Sequence, residues 1–250
     1  MNFILIGILL GVFTLVNILA PISGSATVTP VLASLVGAKD AIAVATVFFF
    51  LTCLPRIYLF RKYVRWELVK TLWPVSIVGA LIGSVVLIYI PEVIVLFIVL
   101  LFLINFTYQK FMSLRRNNQK QDKKPSKHGV VFIGLFSGAL QGTGLAGSDL
   151  RNGYLLSRGL SIPQLHGTTA LIGGANFSFA SISRVASGDL TFEMAYPVLL
   201  LFPVIIIATF IGRHLTLKLS KSMQDRFSLG VMVVALCMLI VTIAQTFIAD

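Results

Sequence analysis

Asp149 and Arg151 stand two residues apart in Gln141-Gly142-Thr143-Gly144-Leu145-Ala146-Gly147-Ser148-Asp149-Leu150-Arg151-Asn152-Gly153, a polar and glycine-rich stretch between long apolar runs. Charged groups in such surroundings are expensive to bury and mark candidate functional sites. The planar fork of Arg151 suits an oxyanion, and Asp149 is placed to carry a coupling proton or to order Arg151. Two structural readings stand beside this one: an Asp–Arg pair that only holds helices together, and Arg151 as a topology charge. His166 precedes Gly167-Thr168-Thr169. A histidine changes charge near neutral pH and suits proton coupling, or it is simply hydrogen-bonded at a helix interface.

The remaining candidates are neutral donors. Gly142, Thr143, Gly144, Gly147, Ser148 and Asn152 belong to the same stretch, and Ser23, Gly24, Ser25 and Thr27 to a second one, Pro21-Ile22-Ser23-Gly24-Ser25-Ala26-Thr27-Val28-Thr29-Pro30. Glycine permits unwound backbone. At membrane depth such backbone survives only where protein or a wet cavity satisfies it. Short helices starting there would aim N–H groups and positive dipole ends inward, which favours an anion. Thr46, Thr168, Thr169 and Asn176 add hydroxyl and amide groups in the helices that follow. Each also has a bland reading, in which the hydroxyl bonds its own helix or bridges to a neighbour.

The elements that must position these groups are membrane helices. Of 250 residues, 57% are hydrophobic and 12% charged, about half the charged share of a soluble domain. That excludes a soluble enzyme, and two cysteines exclude a disulfide scaffold. Long apolar stretches run over about 3–20, 41–60, 67–90, 91–112, 129–146, 164–184, 192–214 and 223–248, with shorter interrupted ones near 25–37 and 148–160. Met1-Asn2-Phe3 carries no positive charge and runs on into membrane-like sequence, so it reads as a mature first helix rather than a signal peptide.

The two halves resemble each other around a basic linker at 113–128. Phe13 and Gly24 align with Phe136 and Gly147, Ser25 with Ser148, Thr46 with Thr169, Pro74 with Pro203 and Gly83 with Gly212. The predicted organisation is a first repeat at 1–112, a cytoplasmic linker at 113–128 and a second repeat at 129–250. The fold class is an all-α polytopic membrane protein of about ten segments, an inverted 5+5 repeat with one short broken helix per half. Internal repeats with paired breaks are a transporter signature. Charge placement favours this count. With five spans per half and the termini outside, every Lys and Arg except Lys39 and Arg184 falls on the inner side, as the positive-inside rule asks. Four spans per half leave more of them outside. The net charge of +11 is therefore a topology signal rather than a nucleic-acid surface, and Arg56 is counted with Arg61, Lys62, Arg65 and Lys70 as one inside cluster. Arg184 reads as the partner of Asp189, and Cys53 and Cys237 as inert buried thiols.

Gly142-x-Gly144-x-x-Gly147 matches a dinucleotide fingerprint in spacing only. The residues before it read as a helix with Gly134, Gly138 and Gly142 four apart, not as the required strand. That ladder, like Gly79-x-x-x-Gly83 and Gly7-x-x-x-Gly11, marks close helix packing. No metal-ligand spacing, nucleophile–base pattern or cofactor motif is present, so neither an enzyme nor a cofactor is expected.

The glycine-rich turn, the Pro-anchored short helix and the Ala/Thr-rich helix that follows, repeated around a basic linker, resemble the TauE/SafE sulfite-exporter family. The matching residues are Gly24 to Pro30, Gly37 and Ala45-Thr46 in the first half. In the second they are Gly138, Gly142, Gly144, Gly147, Gly159-Leu160-Ser161-Ile162-Pro163 and Gly167-Thr168-Thr169-Ala170. The first half shows Ser23-Gly24-Ser25-Ala26 where the family has a glycine cluster, and Ser148 to Gly153 replaces its apolar-Pro run. The resemblance implies a secondary transporter of sulfite, an organosulfonate or a related small anion, working in the cytoplasmic membrane by alternating access, with the lipid bilayer, a coupling proton and a second copy of the chain as expected partners. An anion channel and a membrane assembly factor are the rival readings.

Overall fold

The computed structural model describes residues 3–19, 28–29, 31–32, 36–91, 127–143 and 147–220, with single helical positions scattered through 94–112 and 223–244. Among the described residues every regular element is helical. In chain order these are α1 (Phe3–Leu19), α2 (Ala38–Phe60) running into a 3-10 turn (Arg61–Tyr63), α3 (Trp66–Tyr89), α4 (Lys127–Gly142), α5 (Gly147–Ser157), α6 (Ile162–Ser187), α7 (Phe192–Leu200) and α8 (Phe202–Lys218). Lys39–Tyr63 and Trp66–Val86 are each long and apolar enough to cross a membrane, and Phe192–Leu200 with Phe202–Thr216 forms a third such stretch bent by 48°. The ten-segment count rests on sequence, and residues 113–126 of the expected linker, with 20–27 and 144–146, lie outside the described residues.

The bend has a chemical cause. Pro197 and Pro203 flank Leu201, and each removes one backbone N–H from the helical ladder. The Leu201 N–H still donates to the Pro197 carbonyl at 3.2 Å, and the Leu201 carbonyl accepts from Val204 at 3.0 Å and Ile205 at 3.3 Å. The aligned helix α3 contains only Pro74 and continues through it. At the other end of the bundle, α6 starts with Ser161 as N-cap and Pro163 in its first turn. The Gln164 side chain reaches back to accept the Ser161 N–H at 3.0 Å, a capping box. The helix stops at Gly188, whose φ of 82° is the left-handed value that side chains resist.

Helix α6 is the central post. It packs on α2, and α3 packs on both α6 and α4, while α1 packs on α8. The α3–α4 contact is the closest. A Cβ on Gly79, Gly83, Gly138 or Gly142 would overlap backbone of the facing helix, at Leu135, Ala139, Ser76 and Ala80 respectively. The four-residue glycine spacing read from the sequence thus brings two backbones into contact, as small-residue ladders do. Gly212 on α8 sits against the Ile18 side chain of α1, which a Cβ there would approach to 3.0 Å. Polar bonds tie the post to its neighbours: the Ser84 hydroxyl donates to Ser183 at 3.0 Å, and the Arg65 N–H donates to the Thr168 hydroxyl at 3.1 Å.

Candidate functional site

Where α1, α2, α4, α5 and α6 meet, they leave about 360 Å³ of empty space, counting its open mouth. Helix α2 contributes Phe49, Thr52, Cys53 and Arg56 at three- and four-residue spacing, one face of a helix. Asn17 enters from α1 and Gln141 from the last turn of α4. The first turns of α5 bring Ser148, Arg151 and Asn152, and α6 closes the wall with Thr169, Ala170, Gly173 and Phe177. The walls thus come from both sides of the 113–128 segment.

The electrostatics are set by two arginines. Arg151 is 1% exposed and Arg56 8%, and both guanidinium groups lie within electrostatic reach of the Cys53 thiol. Arg151 donates from Nη1 to Gln141 Oε1 at 2.7 Å. In Arg56, Nε and one terminal nitrogen are buried with no hydrogen-bond partner. Among the described residues the one ion pair within 4.0 Å is Arg65–Glu67, at the surface. A buried cation without a counter-charge is costly, and an anion beside Arg56 would offset that cost. Helix α5 starts at Gly147 and places Ser148 against the same space, which adds the positive end of its dipole. A Cβ on Gly147 would overlap the Ser137 carbonyl, so only glycine lets α5 begin this close to α4.

The residues predicted from sequence distribute as follows. Ser148, Arg151, Asn152 and Thr169 line the cavity. Asn176 lies behind it, donating to Gln141 Oε1 at 2.7 Å and accepting from Ser76 at 3.1 Å. Thr46 and Thr143 bond their own helix carbonyls, at Ile42 and Leu140, and Thr168 holds the turn before α3 through Arg65. His166 is 1% exposed, 5.2 Å from the Phe60 ring and within reach of Arg56, but it is not part of the cavity wall. Gly142 sits in the α3–α4 contact. Asp149 lies on α5. Ser23, Gly24, Ser25, Thr27 and Gly144 lie outside the described residues. Beyond the first four, buried Val28 shares a cluster with Phe49 and Phe177 of the cavity wall.

Sequence reading missed Arg56, Asn17, Gln141 and Cys53. Arg56 was grouped with the surface cations that follow it, yet it lies one helical turn after Cys53 on an otherwise apolar face, and that register was the available signal. Asn17 and Gln141 are single amides at helix ends, for which no pattern exists. Arg184 also differs from expectation. Its side chain turns inward, 2% exposed, and donates to the Gly142 carbonyl, while the Asp189 carboxylate accepts from Ser187 at 2.8 Å. The arginine thereby satisfies a carbonyl that the end of α4 leaves unpaired.

A cavity walled by buried cations, amides and hydroxyls, set among apolar helices, has the chemistry to accept an anion. A family model described as sulfite exporter TauE/SafE matches residues 3–240. The chain belongs to the TauE/SafE sulfite exporter family. At the family level the protein is therefore a membrane transporter of sulfur-containing anions, with the bilayer as its surroundings and a small anion as its cargo. No curated protein and no solved structure matches the chain.

Proposed function

We propose that this TauE/SafE protein is a secondary transporter that carries sulfite or a small organosulfonate across the cytoplasmic membrane by alternating access, with the anion held in the cavity between Arg56 and Arg151. The observation that carries the reading is Arg56: a guanidinium 8% exposed, with unpartnered nitrogens, in the wall of a cavity. Two cationic forks suit the three oxygens of a sulfite or sulfonate head. Ser148, Asn152 and Thr169 offer further polar groups in the same wall.

The moving parts in this proposal are two inverted repeats, 1–112 and 129–250, joined by a cytoplasmic linker at 113–128, with both termini outside. The helix pairings support it. If α1 corresponds to α4, α2 to α6, and α3 to the bent α7–α8, then the contact of α3 with α4 has its image in that of α8 with α1. The α2–α6 contact is its own image at the pseudo-axis, and the cavity lies beside it. Rocking of the two bundles about that axis would expose the anion first to one face and then to the other.

Purified protein in vesicles is expected to show saturable uptake of sulfite or sulfoacetate. Linear, unsaturable conductance would make it a channel, and absence of flux with a stably co-purifying partner would make it an assembly factor. We further propose coupling to a proton through Asp149 or His166. Uptake should then change when a pH gradient is imposed across the vesicle at constant anion concentration. Equal rates with and without the gradient would remove coupling and return both residues to structural roles.

A further inference from the structure

Gly173 lies midway along α6 in the cavity wall. A Cβ built on it would lie 3.4 Å from Arg151 Nη2 and 3.7 Å from both Cys53 Sγ and Gln141 Nε2. Side chains from α5, α2 and α4 thus converge on one point, where the missing side chain at 173 leaves a methyl-sized gap with walls at ordinary contact distance. The Gln141 amide can face this point in only one sense. Its Oε1 accepts from Arg151 Nη1 and from Asn176 Nδ2, each at 2.7 Å. Arginine has no acceptor, so turning the amide over would set donor against donor. The Asn176 amide follows from this, with Nδ2 on Gln141 Oε1 and Oδ1 facing the Ser76 hydroxyl at 3.1 Å, a hydroxyl that also lies 3.1 Å from the Trp73 carbonyl. Gln141 Nε2 is thereby directed at the Gly173 point, buried and without a partner, in a residue 1% exposed. A donor so placed is satisfied only when something there accepts from it.

We infer that one oxygen of the transported anion, held in the adjoining cavity, seats in the gap at Gly173, with Gln141 Nε2 as its neutral hydrogen-bond donor and the absent side chain at 173 setting the size of anion admitted. This rests on the transport reading above. It deepens that reading by assigning selectivity to two residues, a locked amide and a glycine, and by making Ser76 and Asn176 positioning residues for the amide.

The experiment measures the melting shift of the full-length protein in detergent as sulfite and, separately, sulfoacetate are titrated in. Gly173→Ala adds a methyl group whose neighbours all stand at ordinary contact distance, so the protein should fold. The affinity ratio of sulfite to sulfoacetate should rise about tenfold, the scale of one methyl group in a fitted pocket. Gln141→Glu keeps one oxygen accepting from Arg151 and Asn176 and puts a second, charged oxygen where Nε2 stood. Both anions should bind at least about thirtyfold more weakly. A third readout needs no substitution in the seat. In the Cys237→Ser protein Cys53 is the sole thiol, and saturating sulfoacetate should slow its alkylation by iodoacetamide, whereas equal chloride should not. Wild-type protein that binds while both variants bind with unchanged affinity and ratio, or Cys53 that is alkylated equally fast under sulfoacetate, overturns the seat alone. Wild-type protein that binds neither anion overturns the transport reading and the seat with it.

Discussion

Replacing Arg56 with methionine is expected to weaken anion binding at least about thirtyfold, equivalent to about 2 kcal/mol, and to leave the anion-free protein as stable as before or more so. The two effects have opposite signs because the cation has two environments. Without an anion, Arg56 is buried with unpartnered nitrogens, and its desolvation opposes folding. Methionine keeps the length and removes the charge, a change that is neutral or stabilising where buried charge gives way to a packed apolar group. With an anion bound, the guanidinium gains the counter-charge, and its removal leaves the anion short of one partner. Anion titrations followed by melting temperature in detergent read both at once. A variant that melts lower without anion yet binds normally would make Arg56 a structural residue, held by contacts its nitrogens do not reveal.

Gly138→Leu is expected to prevent stable folding. Its first added carbon already overlaps the Ser76 carbonyl, the Ser76 carbonyl carbon and the Ser76 Cα. These are backbone atoms of a helix fixed on its other side by the Ser76–Asn176 bond, so the relief open to a flexible side chain is absent. The helices must separate, which loosens the neighbouring contacts at Gly79, Gly83 and Gly142 together. The cost is about 3 kcal/mol or more, the upper end of overpacking, and detergent-solubilised protein should elute as aggregate on gel filtration. Gly153→Ala is the control: a Cβ at Gly153 meets no atom within 4 Å, and this variant should elute as wild type. A monodisperse Gly138→Leu protein would mean that α3 and α4 do not share this close contact in the membrane.

Which features the sequence discloses follows from what each depends on. The glycine ladders were legible because four-residue spacing alone puts residues on one helix face, and a face of glycines has few uses besides close approach. The apolar run placed α6 at about 164–184, and its true ends at Ile162 and Ser187 are set by Ser161, Pro163 and Gly188, which act within a turn of themselves. The bend at Leu201 was not read, although Pro197 and Pro203 were visible, because the matching Pro74 is absorbed without a break and only the doubled loss of N–H groups separates the two. Arg151, Ser148, Asn152 and Thr169 stood out as polar residues in apolar surroundings. Arg56 did not, because four cations follow it within fifteen residues and only tertiary packing separates it from them. The inward turn of Arg184 depends on where α4 ends, a fact about another helix. Gln141 and Gly173 acquire meaning only once four helices are packed around one point.

The proposed resting place of the sulfur oxyanion on its way through the membrane is the space between Arg56 and Arg151. Uptake of radiolabelled sulfite into vesicles, measured side by side for the wild-type protein and Arg56→Met at matched protein content, decides whether it rests there. Wild-type protein should take up sulfite saturably, and the variant should lose nearly all of that uptake despite an unimpaired melting temperature. Equal saturable uptake by the two proteins would place the path elsewhere in the molecule.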